Sequence, residues 1–112
     1  MLAATVALAL AVPSAAAALP RFYGTVGPNF TITLKRGDGT AVKTASAGSK
    51  TFVIRDRASN HNFHLMGPGV DRRTRVGFVG KRRWSPVVLS NGTYTFLCDR
   101  HPATMRKTFS VG

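Results

Sequence analysis

The chain has 112 residues, with 16 Lys and Arg residues against four acidic residues and a formal net charge of +12. This length supports one small hydrophobic core, which excludes a multidomain enzyme and a multispanning membrane protein. All four acids are Asp, and the chain lacks Glu and Gln while being rich in Thr, Val, Phe and Gly. Such a composition argues against a helical bundle or a coiled coil.

The first twenty residues carry no charge and are mostly apolar. An apolar run from Leu2 to Val12 is followed by Pro13 and four alanines, Ala15 to Ala18. Signal peptidase accepts small residues at the −1 and −3 positions, so the pattern predicts a signal peptide over residues 1–18 and a mature domain over 19–112. The run is too short to span a bilayer. We therefore expect an exported protein, periplasmic, secreted or on the cell surface, with no transmembrane span in its mature form.

After Pro20 the apolar residues alternate with polar ones in short runs separated by turn residues. A two-residue period with a turn about every ten residues is typical of an all-β antiparallel sandwich or barrel. The runs predict strands, in chain order, over 30–34, 51–57, 61–65, 74–79, 87–89, 93–98 and 107–111. The predicted fold class is therefore all-β, in a single domain.

Residues that bind soft metal ions are scarce in this chain, and they cluster. There are one Cys, three His and three Met, yet Cys98, His101 and Met105 fall within eight residues. A thiolate, two imidazoles and a weak thioether are the donors of a mononuclear copper site of the blue type. The spacing predicts such a site at the end of the 93–98 strand, with Pro102 stiffening the loop. A histidine of the 61–65 segment completes the donor set.

The parity of the 61–65 segment selects between its two histidines. Side chains alternate between the two faces of a strand. His61 shares the apolar face of Phe63 and Leu65, whereas His64 falls on the opposite face. We therefore expect His61 to bind the metal and His64 to point outward or to a rim.

Other interpretations of these residues stay open at this point. A lone Cys is commonly a small buried apolar residue, and a lone His is commonly a surface or hydrogen-bonded residue. Zinc is the alternative metal, although structural zinc sites seldom include a thioether. The clustering of Cys98, His101 and Met105 favours copper, and we expect one type 1 copper ion as the cofactor.

The segment from Gly92 to His101 resembles the G-x-Y-x-F-x-C-x-x-H strand and loop of the cupredoxins, the small blue copper proteins related to plastocyanin. Met105 stands where that family has its axial methionine, and His61-Asn62 resembles the His-Asn pair that supplies its first imidazole. The resemblance implies a Greek-key β-sandwich of seven or eight strands that carries one electron on one copper ion. It also implies that Asn62 ties the His61 strand to the Cys98 loop.

The basic residues form two clusters, 71–75 and 81–84, and Arg100 and Arg106 lie near the predicted site. The positive electrostatic field of these residues accelerates encounter with anionic partners, and salt screens it. We expect a monomer that makes transient contact with an acidic redox partner or an anionic envelope surface.

Two other functions are also consistent with the sequence. A copper-binding protein that delivers or sequesters the ion would need the same donors. A cationic β-domain that binds nucleic acid would use the Arg-rich segments beside Trp84 and Phe78, but the predicted export argues against a specific nucleic-acid partner. The chain lacks Glu, and its Asp residues are not paired, so we expect an electron carrier and not an enzyme.

Overall fold

The computed structural model describes residues 18–112, so the predicted signal peptide lies, except for its last residue, outside the described part of the chain. Residues 18–112 form nine strands. In chain order they are β1 (Arg21–Val26), β2 (Ile32–Arg36), β3 (Thr44–Ala45), β4 (Gly48–Asp56), β5 (His64–Gly67), β6 (Val70–Arg73), β7 (Gly80–Leu89), β8 (Gly92–Leu97) and β9 (Arg106–Val111). None of the described residues forms a helix long and apolar enough to cross a membrane.

The strands are divided between two sheets. One has the order β2-β1-β4-β7, and the other has the order β3-β9-β8-β5-β6. The chain crosses between the sheets after β2, β3, β4, β6 and β7, which builds a two-layer sandwich. The all-β prediction is confirmed, but two pairings, β1 with β4 and β3 with β9, are parallel, and all other pairings are antiparallel.

Aromatic side chains from both sheets fill the space between the layers. Phe63 stacks on Phe96 with ring centroids 5.5 Å apart, and Tyr94 stacks on its cross-strand partner Phe109 at 5.3 Å. Such pairs stabilise a sheet beyond the burial of their apolar area. Phe63 is completely buried, which is worth about 2–3 kcal/mol of apolar transfer. This core extends to Phe96 and Cys98 at the end of β8.

The predicted strand over 74–79 is wrong, because these residues form the loop between β6 and β7. β5 and β6 form a hairpin whose turn lies at Gly67–Val70, where Gly69 has a φ of +69°. Arg73 is the last residue of β6 that pairs with β5, so the paired part of β6 ends before Thr74. Thr74 then closes the ladder, since its N–H donates to Phe63 O and its Oγ1 accepts from Phe63 N–H, both at 2.9 Å. The alternation of apolar and polar residues over 74–79 therefore does not correspond to a paired strand.

Candidate metal centre

The neighbouring strands β5, β8 and β9 bring the candidate donors to one end of the sheet. β8 runs antiparallel to both of its neighbours, with His64 paired to Leu97 and Leu97 paired to Arg106. Residues that follow β8 therefore meet residues that precede β5 and β9. Cys98 directly follows β8, Met105 directly precedes β9, and His61 lies three residues before β5 begins.

The structure brings one sulfur atom and two ring nitrogens together at this end. Cys98 Sγ lies 3.7 Å from His61 Nδ1 and 3.6 Å from His101 Nδ1. All three donor atoms lie within 4.8 Å of one another. Cys98 and His61 are buried, whereas His101 is half-buried, so the imidazole of His101 is the donor nearest to solvent.

These spacings are those of ligands around one small ion. A nitrogen about 2.0 Å and a sulfur about 2.3 Å from a first-row metal, at an angle of about 110–120°, lie about 3.5–3.7 Å apart. The observed Cys98–His61 and Cys98–His101 distances fall in that interval. A thiolate and two imidazoles are also soft and borderline donors of the kind that copper prefers. The residues present therefore fit a copper ion.

Three backbone hydrogen bonds shape the loop that carries the site. His101 N–H donates to Cys98 O at 3.0 Å, Met105 N–H donates to His101 O at 2.9 Å, and Cys98 N–H donates to Met105 O at 3.0 Å. These bonds close the loop, because the backbones of Cys98 and Met105, at its two ends, are hydrogen-bonded to each other. Met105 is completely buried, which leaves its thioether in the apolar part of the site.

Asn62 connects the His61 segment to the Cys98 loop. Its Oδ1 accepts from Asp99 N–H at 2.8 Å, and its Nδ2 donates to Asp99 Oδ2 at 2.6 Å and to Thr74 O at 3.1 Å. Asn62 is only 1% exposed, so its bond to Thr74 is buried, and its two bonds to Asp99 are part-buried. Because His61 and Cys98 are the chain neighbours of the two bonded residues, the contact sets the distance between two donors.

His64 was expected to point outward or to a rim, and two carboxylates near the surface cover it. It is 6% exposed, and its ring lies between two carboxylates, with Nδ1 2.7 Å from Asp99 Oδ1 and Nε2 2.5 Å from Asp71 Oδ1. Parity selected His61 over His64 as the donor, and the structure places His61 beside Cys98 and His101. The predicted strand over 61–65 is too long, however, because β5 begins only at His64 and residues 61–63 lie outside it. The sequence signal that could have revealed the contact between His64 and Asp99 is the placement of Asp99 directly after the only cysteine.

Phe30 is a second residue of the site that the sequence did not indicate. The alternation of 30–34 placed it with the core residues Ile32 and Leu34, but it lies in the loop before β2 and is 63% exposed. Its ring meets His101 edge-on, with centroids 4.9 Å apart, and lies 5.6 Å from the ring of His61. An exposed aromatic ring therefore flanks the most accessible donor.

Asp99, the residue after Cys98, is an acid of the site whose pKa is shifted. Burial by itself would raise the pKa of Asp99, but hydrogen bonds from His64 and Asn62 and the positive charges of His64 and Arg73 outweigh it. They hold the pKa of Asp99 below its ordinary value of 3.8. Asp99 is therefore an ionised acceptor next to the cysteine.

Comparison with solved structures identifies the fold. The copper protein rusticyanin superposes with a TM-score of 0.60 at 18% sequence identity, over 82% of this chain and 76% of that chain. This protein has a cupredoxin fold. A methionine-to-glutamine variant of amicyanin in its Cu(I) form matches the same fold with a TM-score of 0.52 at 16% identity, over 83% of each chain. Rusticyanin from Thiobacillus ferrooxidans matches again with a TM-score of 0.50 at 18% identity, over 82% of this chain and 76% of that one.

No family model matches this sequence, and none of the curated proteins matches it. The cupredoxin fold is therefore evident from the three-dimensional arrangement, while the sequence identities of 16–18% are low. Within that fold His61, Cys98 and His101 come together as three candidate metal ligands, and Met105 lies on the same loop as Cys98 and His101.

Proposed function

We propose that this protein is an exported mononuclear type 1 copper protein that acts as a one-electron carrier. His61, Cys98 and His101 are the proposed equatorial ligands, and Met105 is the proposed axial ligand. The observation that carries the proposal is the spacing of 3.6–3.7 Å between the Cys98 sulfur and two histidine nitrogens at a buried end of the sandwich. The relatives in fold include rusticyanin, described as a copper protein.

The chain's own residues supply what one-electron transfer requires. Bound copper would supply a Cu(I)/Cu(II) couple, with the thiolate favouring charge donation and the thioether favouring the reduced ion. His61 and Cys98 exclude water because they are buried, and Asn62 holds their segments at a set distance. Donors already held at ligand spacing need little rearrangement when the ion changes charge, which favours a carrier over a delivery protein.

The half-buried His101 is the proposed exit for the electron. It is the most accessible of the three donors, and Phe30 lies against it with a largely exposed ring. A redox partner that packs on Phe30 would reach the imidazole edge of His101 without exposing Cys98 to water. Small contacts of this kind are typical of transient electron-transfer complexes.

The charge of the β6–β7 face supports an acidic redox partner or an anionic envelope surface. Residues 70–84 contain six basic side chains against Asp71 alone, and all six are exposed. Arg73, Arg75 and Arg82 line a cavity of about 580 Å³, in which the Arg82 guanidinium lies 3.9 Å from the Phe78 ring centroid. Electrostatic steering by such a face increases the association rate at low salt.

The first experiment adds Cu(II) to the protein. We expect one equivalent to bind and to produce an intense thiolate-to-copper absorption band, which Cys98→Ser abolishes. The copper should remain bound when it is reduced. A colourless complex whose copper content is unchanged in Cys98→Ser would contradict the proposal, and release of copper on reduction would favour a delivery protein that uses the same donors.

A second experiment tests the partner. The rate of electron exchange with an acidic redox protein should fall as ionic strength rises, and the paired change Arg75→Ala with Arg82→Ala should weaken that dependence. The matched control is Lys35→Ala with Lys43→Ala, which removes the same charge far from the β6–β7 face. A rate independent of salt would refute the acidic partner. Export is tested separately by the mass of the protein recovered outside the cytoplasm, which should lack residues 1–18.

A further inference from the structure

Two of the four acidic residues of this strongly basic chain converge on one buried histidine. The side chain of His64 is 7% exposed, and its two ring nitrogens face Asp71 at 2.5 Å and Asp99 at 2.7 Å. An ionised carboxylate can only accept a hydrogen bond, so both contacts form only when both ring nitrogens carry a proton. The three side chains then form one charge-assisted chain from the protein surface to the residue after Cys98.

The register of three adjacent strands creates this chain. β5 lies between β6 and β8, and His64 pairs with Arg73 on one side and with Leu97 on the other. Asp71 lies in β6 two residues from Arg73, so it shares the sheet face of His64 on its diagonal, and Asp99 lies in the turn two residues after Leu97. The strand pairing therefore brings both carboxylates to the same ring.

Each oxygen of Asp99 has its own partner, and His64 determines which oxygen is free for Asn62. Oδ1 of Asp99 accepts from His64, while Oδ2 accepts from Asn62 Nδ2 at 2.6 Å and lies 3.7 Å from the Arg73 guanidinium. The carboxylate cannot rotate without breaking one of these contacts. The backbone N–H of Asp99 also donates to Asn62 at 2.8 Å, so the Asp99 residue is held at three points.

We propose that Asp71 and His64 are positioning residues which brace Asp99 and so hold the Cys98 loop against the His61 segment. Asp71 orients the His64 ring, the ring orients the Asp99 carboxylate, and the carboxylate orients Asn62. Neither Asp71 nor His64 touches the ion in this arrangement. The role of these contacts in positioning metal ligands rests on the proposed copper function. The chain of contacts from Asp71 through His64 and Asp99 to Asn62, called the brace below, is present in the protein without metal.

The decisive variants alter Asp71, because its side chain is 66% exposed and its replacement leaves the core intact. Asp71→Ala removes the acceptor, whereas Asp71→Asn keeps an oxygen that accepts from His64 Nε2. Asp38→Ala is the matched control, since it also removes one exposed acid that accepts from neighbouring Thr40 and lies in the turn after β2. All measurements are made at one fixed pH and salt concentration.

The first measurement uses the metal-free protein and follows hydrogen exchange of the Asp99 amide. Asp71→Ala should accelerate this exchange about 10-fold, as expected for the loss of the hydrogen bond from His64 Nε2, while amides of β4 keep their rates. Asp71→Asn should restore the slow exchange, and Asp38→Ala should leave it unchanged. Equal exchange in Asp71→Ala and Asp38→Ala, or no rescue by Asp71→Asn, would overturn the brace.

The second measurement uses the copper-loaded protein. Residues that orient metal ligands typically change metal affinity by about 10- to 100-fold when they are removed. Asp71→Ala should weaken copper binding at least about 10-fold in competition with a chelator and shift the relative intensities of its visible bands, with Asp71→Asn close to the natural protein. An affinity and spectrum unchanged in Asp71→Ala would overturn the positioning role. A natural protein with no thiolate-to-copper band would refute the copper function, while the exchange at Asp99 still decides the brace.

Discussion

Replacing Asn62 should remove the contact that connects the His61 segment to the Cys98 loop. Replacing it with Ala removes the acceptor of Asp99 N–H, the donor to Asp99 Oδ2 and the donor to Thr74 O. Two of these bonds join uncharged groups and one joins an ionised carboxylate; Asn62 is 1% exposed and the Asp99 side chain is 32% exposed. At about 1 kcal/mol for each uncharged bond and about 2 kcal/mol for the charged one, the free energy of unfolding should fall by about 3–4 kcal/mol.

The assay is urea unfolding of the metal-free protein, followed by chelator competition for copper. With a slope of about 1.5 kcal/mol per molar urea, the unfolding midpoint of Asn62→Ala should fall by about 2 M. Copper affinity should fall about 10- to 100-fold, because the distance between His61 and Cys98 is no longer held. Asn60→Ala is the matched control, since Asn60 is exposed and only two residues away. Equal midpoints for the two variants would refute this account of the site.

Two further predictions concern stability. Gly67→Ala should destabilise the protein by about 1–3 kcal/mol in thermal unfolding, because an added Cβ would lie 2.2 Å from the Tyr94 ring, whereas Gly37→Ala has no neighbour nearer than 3.8 Å and should change little. Burial raises the pKa of Asp56 above 3.8, more than the bond from Ala58 N–H and the charge of His61 lower it, so ionising Asp56 costs stability as pH rises above 3.8. Asp56→Asn should therefore gain stability relative to the natural protein between acid and neutral pH, and a constant difference would contradict this.

The strand β8 shows how much of the site could be predicted. Tyr94 and Phe96 alternate with polar residues and are buried as expected, so the strand directs Cys98 inward from local pattern alone. The spacing of Cys98, His101 and Met105 lies within one loop, and its short-range hydrogen bonds need no distant partner. Local periodicity and short spacing were sufficient for these residues.

The residues that were misjudged depend on pairing between distant segments. The strand over 61–65 was predicted too long, because β5 begins only at His64, where it pairs with β6 and β8, and the carboxylates that cover His64 come from two other segments. Phe30 was included in the predicted strand over 30–34, yet it lies in the loop before β2, and its ring contacts that of His101, 71 residues later in the chain. Periodicity cannot indicate where a ladder begins, because that depends on a partner strand.

The all-β class, the donor types and the spacing of the Cys98 loop follow from the amino-acid order, because alternation and short loops are local properties of a chain. The residues that surround the donors depend instead on how distant strands pair. The tertiary structure placed His61 Nδ1 3.7 Å from a sulfur that lies 37 residues later, and it brought Asp71 and Asp99 to opposite sides of His64. The physical reason is that strand order and register, set by the packing of the whole core, determine which distant side chains meet.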